Sequence, residues 1–303
     1  MDGFNGMAFL YDTTGKYEDS LEQINEVIRR VKEWEGDQSR FFYHKVRILR
    51  RLNRPIEAMS VIDELTAAYG NDDSHREKFD IACQFGLWDE AESILAVWRK
   101  ADRKSAALAA ACIDLDLFTL KLDAVRKALG KAKNLRKSDA QRLQLSLAEL
   151  DGDEATQMDI WQQKAQGKNE QTHELMNMAQ VQWWNGHYDE ARAYAQTALE
   201  QLEKIIPQNR KWEALYRGRR ALVLGILGRL DEAREELALV RTLPLCESCN
   251  YCACKDADIF EANFEEICGN WDKALALHRA GAQRWPDDID FSSGMRRMMR
   301  KGL

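Results

Sequence analysis

Four cysteines crowd into nine residues: Cys246, Cys249, Cys252 and Cys254, in CESCNYCAC. A C-x2-C spacing brings two thiolates to one metal ion, and zinc takes four such ligands in a tetrahedron. Ordinary four-cysteine sites use two knuckles with many residues between them. Here the last two cysteines stand one residue apart, which crowds a single tetrahedron, so Cys268, Asp256 or His278 are substitute ligands. Three chemistries fit the cluster. It holds one structural zinc (an iron–sulfur group being the minor form of the metal reading), it pairs by redox chemistry, or it packs as small apolar residues.

A second set is basic. In RFFYHKVRILRRLN, residues 40–53, helical spacing puts Arg40, Tyr43, His44, Arg47, Arg50 and Arg51 along one side, with Phe41, Phe42, Val46, Ile48 and Leu49 packing behind. Guanidinium groups in a row take carboxylates or phosphates through paired hydrogen bonds. The competing arrangement pairs these arginines with Asp73, Glu77 and Asp80 on the next inner helix. A third set, Asn177, Gln180, Trp183 and Trp184, lies in HELMNMAQVQWWN at 173–185. An exposed aromatic beside amides suits peptide recognition, with one of the two tryptophans expected in the core.

Catalytic patterns are missing. There is no phosphate loop, no GxGxxG, no GxSxG elbow and no HExxH among the five histidines. A non-enzymatic protein is expected.

These residues must be held by helices. The 303-residue chain has only four prolines and seventeen glycines, which disfavours sandwiches and barrels. Charged residues make up 31% and the net charge is -6, which argues against disorder and against nucleic acid as the partner. No apolar run reaches the roughly 18 residues of a membrane span. The start, MDGFNGMAFLYD, lacks the basic region and long apolar core of a secretion signal. With seven cysteines, an odd number, this points to the cytoplasm. The basic stretch 121–137 reads as a solubilising surface.

One phrase recurs: GLWDEA at 86–91, GHYDEA at 186–191, GRLDEA at 228–233 and GNWDKA at 269–274, with GKYEDS at 15–20 a looser copy. NRPIEA at 53–58, GDEA at 152–155 and LDA at 122–124 are degenerate copies, the last the weakest. Glycine ends one helix, the acid suits the start of the next, and the closing alanine lets two helices approach. The copies close at Ser20, Ala58, Ala91, Ala124, Ala155, Ala191, Ala233 and Ala274. Pro55 falls at a helix start, and Pro207, Pro244 and Pro286 fall where second helices should stop.

This pattern resembles the tetratricopeptide repeat (TPR) family, whose unit is about 34 residues of paired antiparallel helices. The match is best in 171–207 and 255–288, where Gly269, Trp271, Asp272, Ala274 and Trp285-Pro286-Asp287 fit. The family's small residue in the first helix appears as Ala179, Ala221 and Ala262, while its early tryptophan is absent from most copies. The resemblance implies an all-α right-handed superhelical solenoid of about eight helix pairs over 1–289. Residues 290–303 then form a basic, Met-rich capping helix with Phe291, Met295, Met298 and Met299 as its apolar stripe. It also implies that the first helix of each pair lines a concave groove, so the basic row faces inward.

The expected function is a protein- or peptide-binding adaptor recognising an acidic segment. The competing reading is a ligand-, metal- or redox-responsive regulator using the cysteine cluster. Met1 falls inside the first repeat's helix, which fits a complete chain or a piece of a longer one.

Overall fold

The computed structural model describes residues 2–33, 39–69, 74–132, 134–167, 171–206, 212–243 and 254–302. Among these, every regular element is a helix. In order they are α1 (Asp2–Thr13), α2 (Tyr17–Glu33), α3 (Ser39–Arg51), α4 (Pro55–Tyr69), α5 (Ser74–Gln84), α6 (Trp88–Ala101), α7 (Ala106–Phe118) and α8 (Leu122–Lys131). Then come α9 (Lys137–Asp151), α10 (Glu154–Ala165), α11 (Thr172–Trp184), α12 (Tyr188–Ile205), α13 (Glu213–Ile226), α14 (Leu230–Thr242), α15 (Lys255–Ile267), α16 (Trp271–Arg284) and α17 (Ile289–Arg300).

Odd and even helices pair through one repeated turn. In each of the eight, the residue after the turn position donates its N–H to the carbonyl five back: Lys16 to Tyr11, Arg54 to Leu49, Leu87 to Ala82, Lys121 to Asp116, Asp153 to Ala148, His187 to Gln182, Arg229 to Leu224 and Asn270 to Glu265. This is a Schellman closure, which needs a left-handed residue at the turn. Gly186 has φ 86° and Gly269 φ 75°. In two degenerate copies Asn53 (φ 58°) and Leu120 (φ 55°) take the same conformation without being glycine.

The turns also correct the alignment of two copies. The position four residues after each turn is filled by Ser20, Ala58, Ala91, Ala191, Ala233 and Ala274, as the phrase implied, but by Val125 and Gln157 in the fourth and fifth copies rather than Ala124 and Ala155. Val125 is fully buried, and Gln157 uses its side-chain amide to cap the Ala148 carbonyl at 3.1 Å.

The chain forms two compact units, divided within α7 at Leu115/Asp116. Unit 1 contains α1 to α6 and most of α7. Its core includes Ile24, Ile48, Leu49, Ile62, Leu65, Phe79 and Ile81, all essentially inaccessible. Burying each such side chain contributes about 1.5–3 kcal/mol. Unit 2 contains α8 to α17. One hydrophobic cluster there runs from Leu145 and Trp161 through Leu199 and Leu222 to Phe260, Phe264 and Ile267.

In unit 2, α17 packs on α16 and also on α9. A Cβ on Gly281 would lie 2.1 Å from the Phe291 ring, and one on Gly294 would lie 2.2 Å from His278 Cε1. The two glycines therefore let α16 and α17 interlock ring against backbone. Phe291 and Met298 are buried in this contact, whereas Met299 of the expected apolar stripe is 59% exposed. At its other side α17 caps the end of α9. Ser293 Oγ donates to the Glu149 carbonyl at 3.1 Å, and Arg296 Nε and Arg300 Nη1 donate to the Leu150 carbonyl at 2.8 and 2.9 Å. Cations at a helix C-terminus satisfy orphan carbonyls and oppose the dipole. The tail helix thus joins the last pair of unit 2 to its fifth-pair helix, beyond capping one end.

Candidate functional site

In unit 1, three side chains of the basic row, His44, Arg47 and Arg51, stand three or four residues apart on α3 and face α1. There they meet Asp12, which is 2% exposed. Arg51 Nη1 lies 2.5 Å from Asp12 Oδ1, and Arg47 Nη2 lies 2.9 Å from Oδ2. His44 Nε2 is 3.5 Å away and makes no aligned hydrogen bond. Burial pushes the Asp12 carboxyl up, but His44, Arg51 and Arg47 together hold it below the usual carboxylate range. Arg50 donates to Gln84 on α5, and Asp80 pairs instead with Arg76 at 2.9 Å. The row is therefore knit largely into unit 1, and the acid that balances it lies on the preceding inner helix.

Beside this cluster a shallow groove of about 420 Å3 is lined by Gly6, Phe9, Arg40, Phe41, His44 and Arg47. Arg40 lies 4.5 Å from the Phe41 ring centroid. Met7, Phe9 and Leu10 of α1 and Tyr43 of α3 are exposed next to it in sequence.

In unit 2, a cavity of about 230 Å3 is enclosed by α9, α10, α11, α13, α15 and α17. Asn177, Gln180 and Trp184 line it from one face of α11. Trp183 does not: it packs edge-on to Tyr188 at 4.8 Å and against the core cluster. This answers which tryptophan is structural. Asn177 Nδ2 is used by the His173 carbonyl at 2.7 Å. Gln180 is 3% exposed, yet its Nε2 has no hydrogen-bond partner among the described residues, and neither does the buried Trp184 Nε1.

Carboxylates dominate the opposite wall. Glu149, Asp256 and Asp290 line the cavity, and none makes a side-chain hydrogen bond or ion pair with a described residue. Burial raises the pKa of all three. Asp290 adds to the rise of Glu149, and Asp288 to those of Asp256 and Asp290. Nearby Glu266 is the opposite case. Burial works against its charge, but Arg297, 2.8 Å away, holds it down to about 2. Arg297 also stacks 3.4 Å from the Trp184 ring centroid. The cavity shares Glu149, Gln157, Trp184 and Arg297 with a second hollow of about 380 Å3.

Of the carboxylate set only Asp256 was singled out from sequence, as a substitute metal ligand; Glu149 and Asp290 were not. The available signal was positional: Asp12, Glu149 and Glu266 each offer the carbonyl that receives the N–H of a turn glycine, at 3.3, 3.3 and 3.1 Å.

Of the cysteine cluster, Cys246, Cys249 and Cys252 lie outside the described residues, as do Pro207 and Pro244. Cys254 is the residue preceding α15. Among the described residues no three His, Cys, Asp or Glu side chains stand close enough to share a metal ion, and no helix is long and apolar enough to cross a membrane.

No family model matches the chain, and neither does any curated protein. Among solved structures the chain is similar to three at low identity. Yeast Tom70 is 14% identical with a TM-score of 0.47, covering 95% of this chain. A tetratricopeptide repeat protein from Parabacteroides merdae is 9% identical at TM-score 0.35, covering 98% of both chains. The P58(IPK) TPR domain is 11% identical at 0.28, covering 99% of this chain and 97% of its own. This chain spans 61% of the Tom70 chain. The fold assignment stands on the chain's own repeated turns: it is an all-α protein of TPR-type helix pairs.

Proposed function

We propose that this chain is a non-enzymatic interaction scaffold whose unit 1 binds an acidic, partly apolar segment of a protein partner, in the cytoplasm. The observation that carries the reading is the groove on α1 and α3, lined by Arg40 and Phe9, with Met7 and Leu10 exposed on α1 and Tyr43 on α3. An exposed apolar patch rimmed by a cation is what a docking segment requires. Arg47, Arg50 and Arg51 support it as fixed positive charge that draws the acidic partner in, with His44 lining the groove beside them.

The pairing of Arg47 and Arg51 with Asp12 decides how the reading is tested. Reversing either would unbalance a buried cluster, so Arg40→Glu and Tyr43→Ala are the informative changes. Affinity capture from the native host, read by mass spectrometry and repeated at raised salt, should lose its specific partners with both variants. An unchanged partner list removes this groove from the account.

The cysteine cluster enters the same proposal as one structural zinc pinning the last repeat. Elemental analysis of chelator-free protein should then approach one equivalent, and less than about a tenth of an equivalent rejects it. A sensor role would additionally require partner binding to follow metal content.

A further inference from the structure

The geometry points to a small-ligand site in the unit 2 cavity, made for an ammonium group with a carbonyl or carboxylate oxygen beside it. The ligand is a free amino acid or the N-terminal end of a peptide. The inference takes up the contact proposed for Asn177, Gln180 and Trp184 and stands if unit 1 binds no acidic segment.

The two halves of that ligand answer two independent features. Glu149, Asp256 and Asp290 present carboxylates to one cavity without a side-chain hydrogen bond or ion pair to a described residue. Glu149 and Asp256 are half-buried and Asp290 is more exposed, and a carboxylate drawn partly out of water without a partner is stabilised by a bound cation. Glu266 and Asp288 are already matched, by Arg297 at 2.8 Å and Lys255 at 2.6 Å. Arg219 reaches the lining and acts on Asp256 at longer range, as Lys164 acts on Glu149. Arg297 acts on Glu149 and Asp290, and Lys255 on Asp256 and Asp290, but each closes its ion pair elsewhere, so the three acids stay unpaired among the described residues.

Across it, Gln180 Nε2 and Trp184 Nε1 stand four residues apart on α11, one turn, and both N–H groups are buried without an acceptor. A simple metal cation would leave these donors unanswered. The carboxylates also do not converge at metal-ligand distance among the described residues. A molecule carrying both a cation and an acceptor oxygen answers both walls. The volume, about 230 Å3, lies below the roughly 300–1,000 Å3 of pockets for drug-sized ligands, which fits one amino acid or one chain end. Leu215, Leu222 and Phe260 supply an apolar wall for its side chain.

Protonation agrees with this assignment. The carboxyls facing the site have raised pKa values from burial and mutual repulsion, so an arriving ammonium displaces protons. Besides the three acids, Lys164, His173, Arg219, Lys255, Asp288 and Arg297 are the charged or titratable groups that line the cavity or act on them.

The test is calorimetric titration of the full chain with each standard L-amino acid, the same residue leading a Xaa-Gly-Gly tripeptide, and the N-acetylated form of each. At least one ammonium-bearing probe should bind, and acetylation should weaken it by about tenfold or more. Binding of the free acid alone identifies a free amino acid as the source; binding of the tripeptide identifies a peptide end. Glu149→Gln and Gln180→Leu should each weaken binding by about tenfold while circular dichroism shows the helices intact. Arg40→Glu should bind the probe as the parent does, which separates this site from the unit 1 groove. The site is overturned if no ammonium-bearing probe binds more tightly than its acetylated form, or if both cavity variants bind unchanged.

Discussion

Asp12 in unit 1 and Glu149 in unit 2 occupy the same place in the repeat, each giving its carbonyl to a turn glycine at 3.3 Å. Their side chains live in opposite worlds. Asp12 is surrounded by Arg47, Arg51 and His44 and is held in its charged form. Glu149 faces two further acids across a cavity and is pushed toward its neutral form. What differs is the next inner helix. After Asp12 it supplies two arginines at helical spacing; after Glu149, α11 supplies Gln180 and Trp184. One repeat position thus becomes a closed structural ion pair in one unit and an open polar site in the other.

The comparison breaks most visibly at Asp12. Asp12→Ala leaves Arg51, 4% exposed, without its counter-charge, and should destabilise unit 1 by about 3–5 kcal/mol in urea unfolding. A loss below about 1 kcal/mol would mean the pair is ornamental. Next comes the wall that shapes the open site. Gly294→Ala forces a Cβ to within 2.2 Å of His278 Cε1, and overpacking of this kind costs about 1–3 kcal/mol. It should loosen α17 and raise proteolysis after residue 288 while leaving unit 1 untouched.

Glu149→Gln should go the other way, stabilising unit 2 at pH 8 by on the order of 1–2 kcal/mol. The sign follows from linkage. A carboxyl whose folded pKa is raised keeps a proton that the unfolded chain releases above 4.5, so stability falls as pH rises from there toward the folded value. Glu266 contributes the reverse: its stabilisation is present above 4.5 and is lost as pH falls toward about 2. Thermal unfolding should therefore be most resistant near pH 5, and Glu149→Gln should flatten only the alkaline side. The smallest effect belongs to Arg40→Glu, within about 0.5 kcal/mol, because Arg40 is exposed and closes no ion pair with a described residue.

Much of the fold was legible because a left-handed glycine followed by an acid is a local signal. It failed at two turns for physical reasons. Leu120 adopts φ 55° where glycine is expected, and Gln157 replaces a small residue by turning its amide onto the Ala148 carbonyl. Neither leaves a mark in composition. The basic row was visible as a row, but one partner was not: Arg47 and Arg51 reach back to Asp12, while Arg50 reaches forward to Gln84 on α5. The carboxylate wall was hidden because Glu149 and Asp290 lie far apart in sequence and meet only when α17 returns to α9.

That return has a thermodynamic consequence. A linear repeat array is nearly one-dimensional, each pair stabilised by its neighbours, so its ends fray first. The bonds from Ser293, Arg296 and Arg300 to the end of α9 link residues about 145 positions apart. They turn α9 to α17 into a closed chain of contacts, in which opening any pair strains the seam. Unit 2 should exchange its amide hydrogens as one cooperative block, without a gradient from its last helix inward.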